Sequence, residues 1–89
     1  MPVVVHLPGP LTPFAGGQAR LVLAGPRNVG EALKALPPGV RDRVTDEQGR
    51  VRPHVNVFVG SESIRETGGT ETPLDGQAEL HIIAAVSGG

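Results

Sequence analysis

The stretch Asn28-Val29-Gly30-Glu31-Ala32-Leu33-Lys34-Ala35-Leu36 carries the clearest helical pattern of the chain. Asn28 is a good N-cap residue, and Glu31 occupies the capping-box position three residues later. The apolar residues recur at the i, i+3, i+4 and i+7 spacing of one helix face: Val29, Ala32, Leu33 and Leu36. Pro37-Pro38 ends the helix, because proline has no N–H and disfavours helical geometry in the residue before it. The pattern predicts one short amphipathic helix with a single buried stripe, followed by a further helical turn over 40–44.

Predicted strands lie on both sides of this helix. Four segments are β-branched runs or alternate in the manner of strands: 3–7, 18–23, 54–59 and 79–84. The first two are expected to pair as a hairpin. A helix that packs across one mixed sheet closes a single core in a chain of this length. The predicted fold class is therefore α+β, a β-grasp with one main helix, comprising a domain over 1–85 and a flexible Gly-Gly tail over 86–89.

Composition excludes several classes of protein. A chain of 89 residues forms at most one small domain, and the absence of cysteine excludes disulfides, thiol nucleophiles and Cys-ligated metals. No apolar run approaches the ~18–20 residues that span a bilayer, so we expect a soluble cytoplasmic protein without a membrane partner. The net charge is −1, basic and acidic residues are interleaved, and Trp and Tyr are absent, so nucleic acid is not an expected partner.

One face of the predicted sheet carries candidate partner-binding residues. Alternation in the last two strands places Asn56, Phe58, His81 and Ile83 on the face opposite the helix. Apolar side chains on an open surface are typical of protein docking sites. We therefore predict that these four residues contact a partner protein. The alternative is that the helix or the loops cover this face, which would make Phe58 part of the core.

The three histidines do not form a metal-binding pattern in the sequence. His6, His54 and His81 belong to three separate segments, with no close ligand spacing and no cysteine beside them. We expect solvent-facing strand histidines and no metal site. The sequence also lacks a Ser/His/Asp order and a phosphate-binding glycine loop that leads into a helix, so no catalytic site is predicted.

Several stretches together resemble one protein family. They are Ala84-Ala85-Val86-Ser87-Gly88-Gly89, Val29-Gly30-Glu31-Ala32-Leu33, Val55-Asn56-Val57-Phe58-Val59, and Gly68-Gly69 followed by Thr72-Pro73-Leu74-Asp75-Gly76. Over nearly the whole chain they resemble the ubiquitin-like sulfur carriers of the MoaD/ThiS family. The Gly16-Gly17-Gln18 stretch and the Gly68-Gly69 loop most resemble the CysO-like carriers of cysteine biosynthesis.

The resemblance implies that function resides in the last four residues. The Gly89 carboxylate attacks the α-phosphate of ATP inside a partner enzyme, and sulfur then displaces AMP from the acyl-adenylate, leaving a thiocarboxylate. An α-carboxyl group has a pKa of ~3.3–3.7, so it is ionised at pH 7 without a base. Gly88 and Gly89 lack a Cβ and pass a narrow channel, while Val86 and Ser87 are expected to contact the partner. The chain itself binds no cofactor and acts as a protein cosubstrate, not as an enzyme.

The partners that the resemblance implies are enzymes. One is a ubiquitin-activating-like adenylyltransferase and sulfurtransferase that uses ATP. Another is an acceptor synthase, either of the cysteine synthase type or the large subunit of molybdopterin synthase, and a metalloprotease that processes the tail is a further candidate. Three alternatives stay open: the small subunit of molybdopterin synthase in molybdenum cofactor biosynthesis, a ubiquitin-like protein modifier conjugated through Gly89, and an interaction module that never uses its tail.

Overall fold

The computed structural model describes residues 2–75 and 78–84, which build a five-stranded mixed sheet with helices packed on one face. The strands are β1 (Pro2–His6), β2 (Arg20–Ala24), β3 (Val55–Val59), β4 (Glu62–Ser63) and β5 (Glu79–Ala84). Their order in the sheet is β2-β1-β5-β3-β4. The central strand β5 is parallel to β1 and antiparallel to β3, so it is hydrogen-bonded along both edges.

All four predicted strands are present, with small changes at their ends. β5 spans the predicted residues, and β3 begins one residue after His54, which lies in a turn. β1 and β2 form the predicted antiparallel hairpin, in which Val4 pairs with Val22. The additional strand β4 has two residues, too few to produce a recognisable alternation.

The predicted helix begins where the sequence places it. α1 spans Val29–Lys34, and Oδ1 of Asn28 accepts a hydrogen bond from the Glu31 N–H at 2.8 Å. The Glu31 carboxylate accepts from the N–H of Arg27 at 2.9 Å, one residue before the cap. A helix N-terminus leaves such backbone donors without partners, so side chains fix the start of this short helix.

A second short helix starts at the two prolines. α2 spans Pro38–Val44 and contains the predicted turn over 40–44. Pro38 is its first residue, a position where the missing N–H removes no hydrogen bond from the helix. The sequence predicted one main helix up to Leu36 and a further turn over 40–44, whereas the structure has two helices of similar length, with α1 ending at Lys34 and α2 starting at Pro38. Neither helix among the described residues is long and apolar enough to cross a membrane.

The hydrophobic core lies between the helices and one face of the sheet, which we call the buried face. Its strand residues alternate with exposed ones, as the period of two in a strand requires. The buried strand residues are Val3, Val5, Val55, Val57, Leu80 and Ile82. The helices contribute Val29, Ala32, Leu33, Val40 and Val44, and Leu36 is buried in the bend between them. Every member of the predicted helical stripe is therefore buried.

The loop between β1 and β2 is more ordered than its sequence suggests. Residues Gly9–Ala15 form a 3-10 helix that adds Leu11 and Ala15 to the core. Phe14 points outward, 39% exposed, and the guanidinium carbon of Arg43 lies 3.5 Å from the centre of its ring. This cation–π contact connects the loop to α2 and gives Phe14 a packing partner outside the core.

The loop over 67–75 packs against the start of α1. Consecutive glycines, Gly68 and Gly69, have φ values of 121° and 64°, which other residues rarely adopt. They turn the chain so that the carbonyl of Thr72 accepts from the N–H of Val29 at 3.0 Å. The Gly68-Gly69 pair therefore has a structural role. For the other pair, Gly88-Gly89, the sequence predicts a functional role.

Candidate functional site

The face of the sheet opposite the helices, which we call the open face, carries the alternate residues of the strands. Its members include Val4, His6, Arg20, Val22, Asn56, Phe58, Glu79, His81 and Ile83. All of them are half-buried or exposed, and the apolar side chains of Val22 and Ile83 are 60% and 50% exposed. This face therefore combines accessible apolar groups with polar ones, a composition typical of binding surfaces.

The four residues predicted to contact a partner lie together on the open face. Phe58 pairs directly with His81 across β3 and β5, and Asn56 pairs with Ile83 one step along the same strands. Phe58 is half-buried and does not belong to the buried core. The geometry thus places these side chains in one patch, and contact with a partner stays a prediction.

Arg65 joins this patch and has no counterpart among the predicted residues. Its Nε donates to Oδ1 of Asn56 at 3.2 Å, and its guanidinium also donates to the carbonyls of Pro53 and Val55 at 3.2 and 2.9 Å. These bonds fix the Asn56 side chain and tie the 3-10 segment Ile64–Glu66 to β3. No local sequence pattern predicts these hydrogen bonds, because they depend on how the chain turns back after β4.

Two of the histidines meet at the centre of the open face. The parallel pairing of β1 with β5 sets His6 beside His81, and their rings stack with centroids 4.5 Å apart and planes 6° from parallel. Nε2 of His6 lies 2.7 Å from Oε1 of Glu79, two residues before His81. His54 is exposed and lies apart from them, in the turn before β3. No local pattern predicts the cluster, since His6 lies 73 residues before Glu79 along the chain.

The charges around Glu79 favour its ionised form. The hydrogen bond from His6 holds the pKa of Glu79 below its ordinary value, and the charges of His6, His81 and Arg20 act in the same direction. An ionised carboxylate only accepts hydrogen bonds, so the Nε2 atom of His6 is the donor in the 2.7 Å contact. The open face therefore carries a carboxylate beside two imidazoles.

The residues predicted to carry the chemistry follow the central strand. β5 ends at Ala84, which pairs with Val55 at the start of β3. Val86, Ser87, Gly88 and Gly89 lie outside the described residues, as does the predicted domain boundary at 85–86. Their predicted roles, and that boundary, stay predictions.

Comparison with known proteins identifies the family. The model of the ThiS family matches residues 5–89. The chain belongs to the ThiS family. Among curated relatives, the sulfur carrier protein CysO of Mycobacterium tuberculosis is 32% identical over 93 residues, with complete coverage of both chains. The resemblance to the MoaD/ThiS carriers, and to the CysO-like branch among them, is thereby confirmed.

Solved structures confirm the ubiquitin-like β-grasp fold class. The crystal structure of Mycobacterium tuberculosis CysO matches with a TM-score of 0.84 and 29% identity, covering 94% of this chain and 99% of that one. CysO in the Amycolatopsis orientalis BexX/CysO complex gives 0.83 and 28%, covering 98% and 99%. The small archaeal modifier protein 1 of Methanosarcina acetivorans gives 0.82 and 29%, covering 99% and 96%. The shared architecture therefore extends across sulfur carriers and a modifier protein.

Proposed function

We propose that this protein is a sulfur carrier, a cosubstrate and not an enzyme, that bears sulfur as a thiocarboxylate on Gly89. The observation that carries the proposal is the full-length match to sulfur carrier protein CysO, together with a family match that extends to residue 89. The acceptor pathway that these relatives favour is cysteine biosynthesis. Adenylation consumes ATP, so the cytoplasm is the compartment in which we expect the reaction.

The proposed chemistry has two steps. An oxygen of the Gly89 carboxylate attacks the α-phosphorus of ATP, a new P–O bond forms, and pyrophosphate leaves with the electrons of the bond that breaks. Hydrosulfide, or a sulfur donor equivalent to it, then attacks the carbonyl carbon of the acyl-adenylate, and AMP leaves. One proton is released to solvent and the thiocarboxylate remains as an anion. The partner enzyme supplies the catalytic groups, and the chain supplies a terminus that reaches them.

The fold supports the presentation of such a terminus. Leu80 and Ile82 anchor β5 in the core, and hydrogen bonds hold the strand along both edges. Five residues follow Ala84, and an extended stretch of that length reaches at most about 17 Å. The strand that leads to the tail is therefore firmly held, and a partner enzyme is able to bind Gly89 in its active site without disrupting β5.

The open face is the surface that we propose for docking of the adenylating enzyme. Asn56, Phe58, His81 and Ile83 lie there, and Ile83 belongs to the same strand that leads to the tail. One partner is therefore able to contact the patch and the tail together, with Val86 and Ser87 as the connecting contacts. The acceptor, a synthase of the cysteine synthase type, and a tail-processing metalloprotease are the further partners in this proposal. A solved complex of a CysO relative with BexX supports docking of a partner protein.

Intact-mass spectrometry tests the proposal. The purified chain is incubated with its adenylating enzyme, ATP and sulfide, and the expected product is heavier by the difference between a sulfur and an oxygen atom. A chain that lacks Gly89 is the matched control and should stay unmodified while its circular dichroism spectrum is unchanged. An unmodified full-length chain under conditions that activate a known substrate of the same enzyme contradicts the proposal and favours an interaction module that never uses its tail.

The acceptor is identified by a second experiment with the thiocarboxylated chain. Formation of cysteine with a pyridoxal-phosphate-dependent synthase and an activated serine is expected. Sulfur transfer to a pterin precursor with a large subunit of molybdopterin synthase would instead identify the small subunit of that enzyme.

A protein modifier is the second candidate function. The observation in its favour is the 29% identity to small archaeal modifier protein 1 over 99% of this chain. Such a modifier forms an isopeptide bond between Gly89 and a lysine of a target. Conjugates that resist reducing agents and carry a Gly-Gly remnant on lysine after proteolysis would support this function, and their absence from cells that contain the thiocarboxylate would contradict it.

A further inference from the structure

His6, Glu79 and His81 place three metal-ligating side chains at one point on the open face. One donor atom from each residue lies within 4.8 Å of the donor atoms of the other two. We propose that these residues bind a divalent transition-metal cation of the Zn²⁺ class. The proposal goes beyond sulfur transfer, since the carboxylate of Gly89 takes no part, although one ligand, His81, also belongs to the proposed docking surface.

The fold, not the sequence spacing, assembles the three donors. Parallel pairing aligns His6 of β1 with His81 of β5, and Val4 with Glu79. Side chains two residues apart on a strand project from the same face, so Glu79 and His81 stand side by side. His6 faces both of them from the adjacent strand. The two central strands of the sheet thus hold the backbone of all three ligands.

The donor set selects a class of ion. Two imidazole nitrogens and one carboxylate oxygen suit Zn²⁺ and its first-row neighbours, whereas Mg²⁺ and Ca²⁺ prefer oxygen ligands alone. Three protein ligands leave at least one position for water, as in open zinc sites. The side chains of His6 and Glu79 are 35% and 55% exposed, so an ion reaches them directly from solvent.

Binding requires the rings of His6 and His81 to rotate out of their stack, because each ring nitrogen binds a metal in the plane of its own ring and the two planes are 6° from parallel. Tetrahedral coordination with Zn–N distances of ~2.0–2.1 Å places neighbouring ligand atoms about 3.3 Å apart. Donor atoms at the upper limit of 4.8 Å must therefore approach by about 1.5 Å, whereas Nε2 of His6 and Oε1 of Glu79, 2.7 Å apart, must separate slightly. The three side chains lie on the open face and outside the buried core. Rotation about their side-chain bonds supplies this movement without repacking the core.

The ion would replace a proton that the cluster already shares. In the structure His6 donates through Nε2 to Glu79 at 2.7 Å. A cation between these two atoms takes the place of that proton, and a neutral imidazole that binds the cation through Nε2 carries its own proton on Nδ1. The cation also neutralises the Glu79 carboxylate. One group opposes it: Arg20, paired with His6 across β1 and β2, carries a positive charge close enough to act on Glu79.

Isothermal titration calorimetry of the purified full chain with ZnCl₂ near pH 7 tests the proposal. We expect one ion per chain. His6→Ala and His81→Ala should each weaken binding by about tenfold or more, because even partners of metal ligands contribute ~10–100-fold. His54→Ala is the matched control, since it removes an exposed histidine outside the cluster, and it should leave the affinity unchanged. Arg20→Gln should strengthen binding, because it removes the opposing charge.

A second measurement locates the ion without relying on variants. Co²⁺ is added to the isotopically labelled chain, and the paramagnetic shifts in its NMR spectrum should be largest around His6 and His81 and small around His54. Three results would overturn the proposal: no binding of Zn²⁺ by the full chain, binding that persists unchanged in both His6→Ala and His81→Ala, or paramagnetic shifts centred elsewhere. Sulfur carriage on Gly89 would be unaffected by any of them, so the two proposals fail separately.

Discussion

The two faces of the sheet are built from the same strands and differ in what their side chains do. On the buried face the side chains are apolar and inaccessible, as with Leu80, which is 0% exposed. On the open face of the same strand, Ile83 is 50% exposed and His81 stacks against His6. The contrast teaches that the buried face supplies most of the stability. Side chains on the open face are therefore free to serve binding, because their replacement leaves no cavity in the core.

The largest predicted effect on stability comes from the buried side of β5. Leu80→Ala should lower the free energy of unfolding by about 2–5 kcal/mol, since it leaves a cavity where the native side chain is fully buried. Ile83→Ala, on the same strand and the opposite face, should cost less than about 1 kcal/mol. Urea denaturation followed by circular dichroism measures both, since the chain has no Trp or Tyr for fluorescence. Equal losses of unfolding free energy in the two variants would contradict the distinction between the buried face and the open face.

The second-largest expected effect is on partner binding, and it should be confined to the docking patch on the open face. Phe58→Asp should weaken the complex with the adenylating enzyme by about 30-fold, the loss expected when a central apolar contact of an interface is removed. Val22→Asp is the matched control, because Val22 is exposed on the edge strand β2, outside the predicted docking patch. Calorimetric titration of each variant with the enzyme gives the affinities. An unchanged affinity for Phe58→Asp would place docking elsewhere.

A smaller change is expected at the start of α1, which covers the buried face. Asn28→Ala removes the acceptor of the Glu31 N–H and should lower the free energy of unfolding by about 1 kcal/mol. Asn28→Asp keeps an acceptor at the same place and should be close to the native chain in urea denaturation. If both variants lose the same amount, the cap does not explain the stability of this helix.

The smallest effect is a pH dependence in the turn after α2. Backbone N–H groups of Arg50 and Gln48 donate to Oδ1 of Asp46, and the bond from Arg50 is the main reason that its pKa is lowered. A native pKa below the unfolded value stabilises the fold above the unfolded pKa of ~3.9, and this contribution disappears as the pH falls through the native pKa. Asp46→Asn should therefore be slightly less stable than the native chain at pH 7.

The difference should shrink in acid, as the pH falls toward the lowered native pKa of Asp46. Thermal unfolding at pH 7 and at pH 2.5 checks this. Glu47→Gln is the control, since it removes the same charge from the same turn. A difference between Asp46→Asn and the native chain that is the same at both pH values would contradict the account of Asp46.

Local sequence patterns predicted the features of the fold that depend on residues close together in the chain. Capping at Asn28 located α1, and alternation assigned the faces of β3 and β5, so that Phe58 and Ile83 were correctly placed opposite the helices. The sequence also predicted the β1–β2 hairpin, whose strands follow one another directly along the chain.

Those local patterns could not predict which distant strands become neighbours in the sheet. Alternation tells which face a side chain occupies, but the packing of the whole domain decides which strand lies beside it. The pairing of β1 with β5, and with it the meeting of His6 and His81, is such a relation. The contact of Arg65 with Asn56 depends in the same way on a two-residue strand and a 3-10 turn, both too short to leave a period in the sequence.

Sulfur carriage on Gly89 is tested most directly by locating the sulfur atom. The chain is incubated with its adenylating enzyme, ATP and sulfide, and the product is fragmented in the mass spectrometer. We predict that the added mass occurs only in fragments that contain Gly89 and that it is lost when the thiocarboxylate is hydrolysed. Added mass on internal fragments, or no added mass at all, would contradict the role proposed for this terminus.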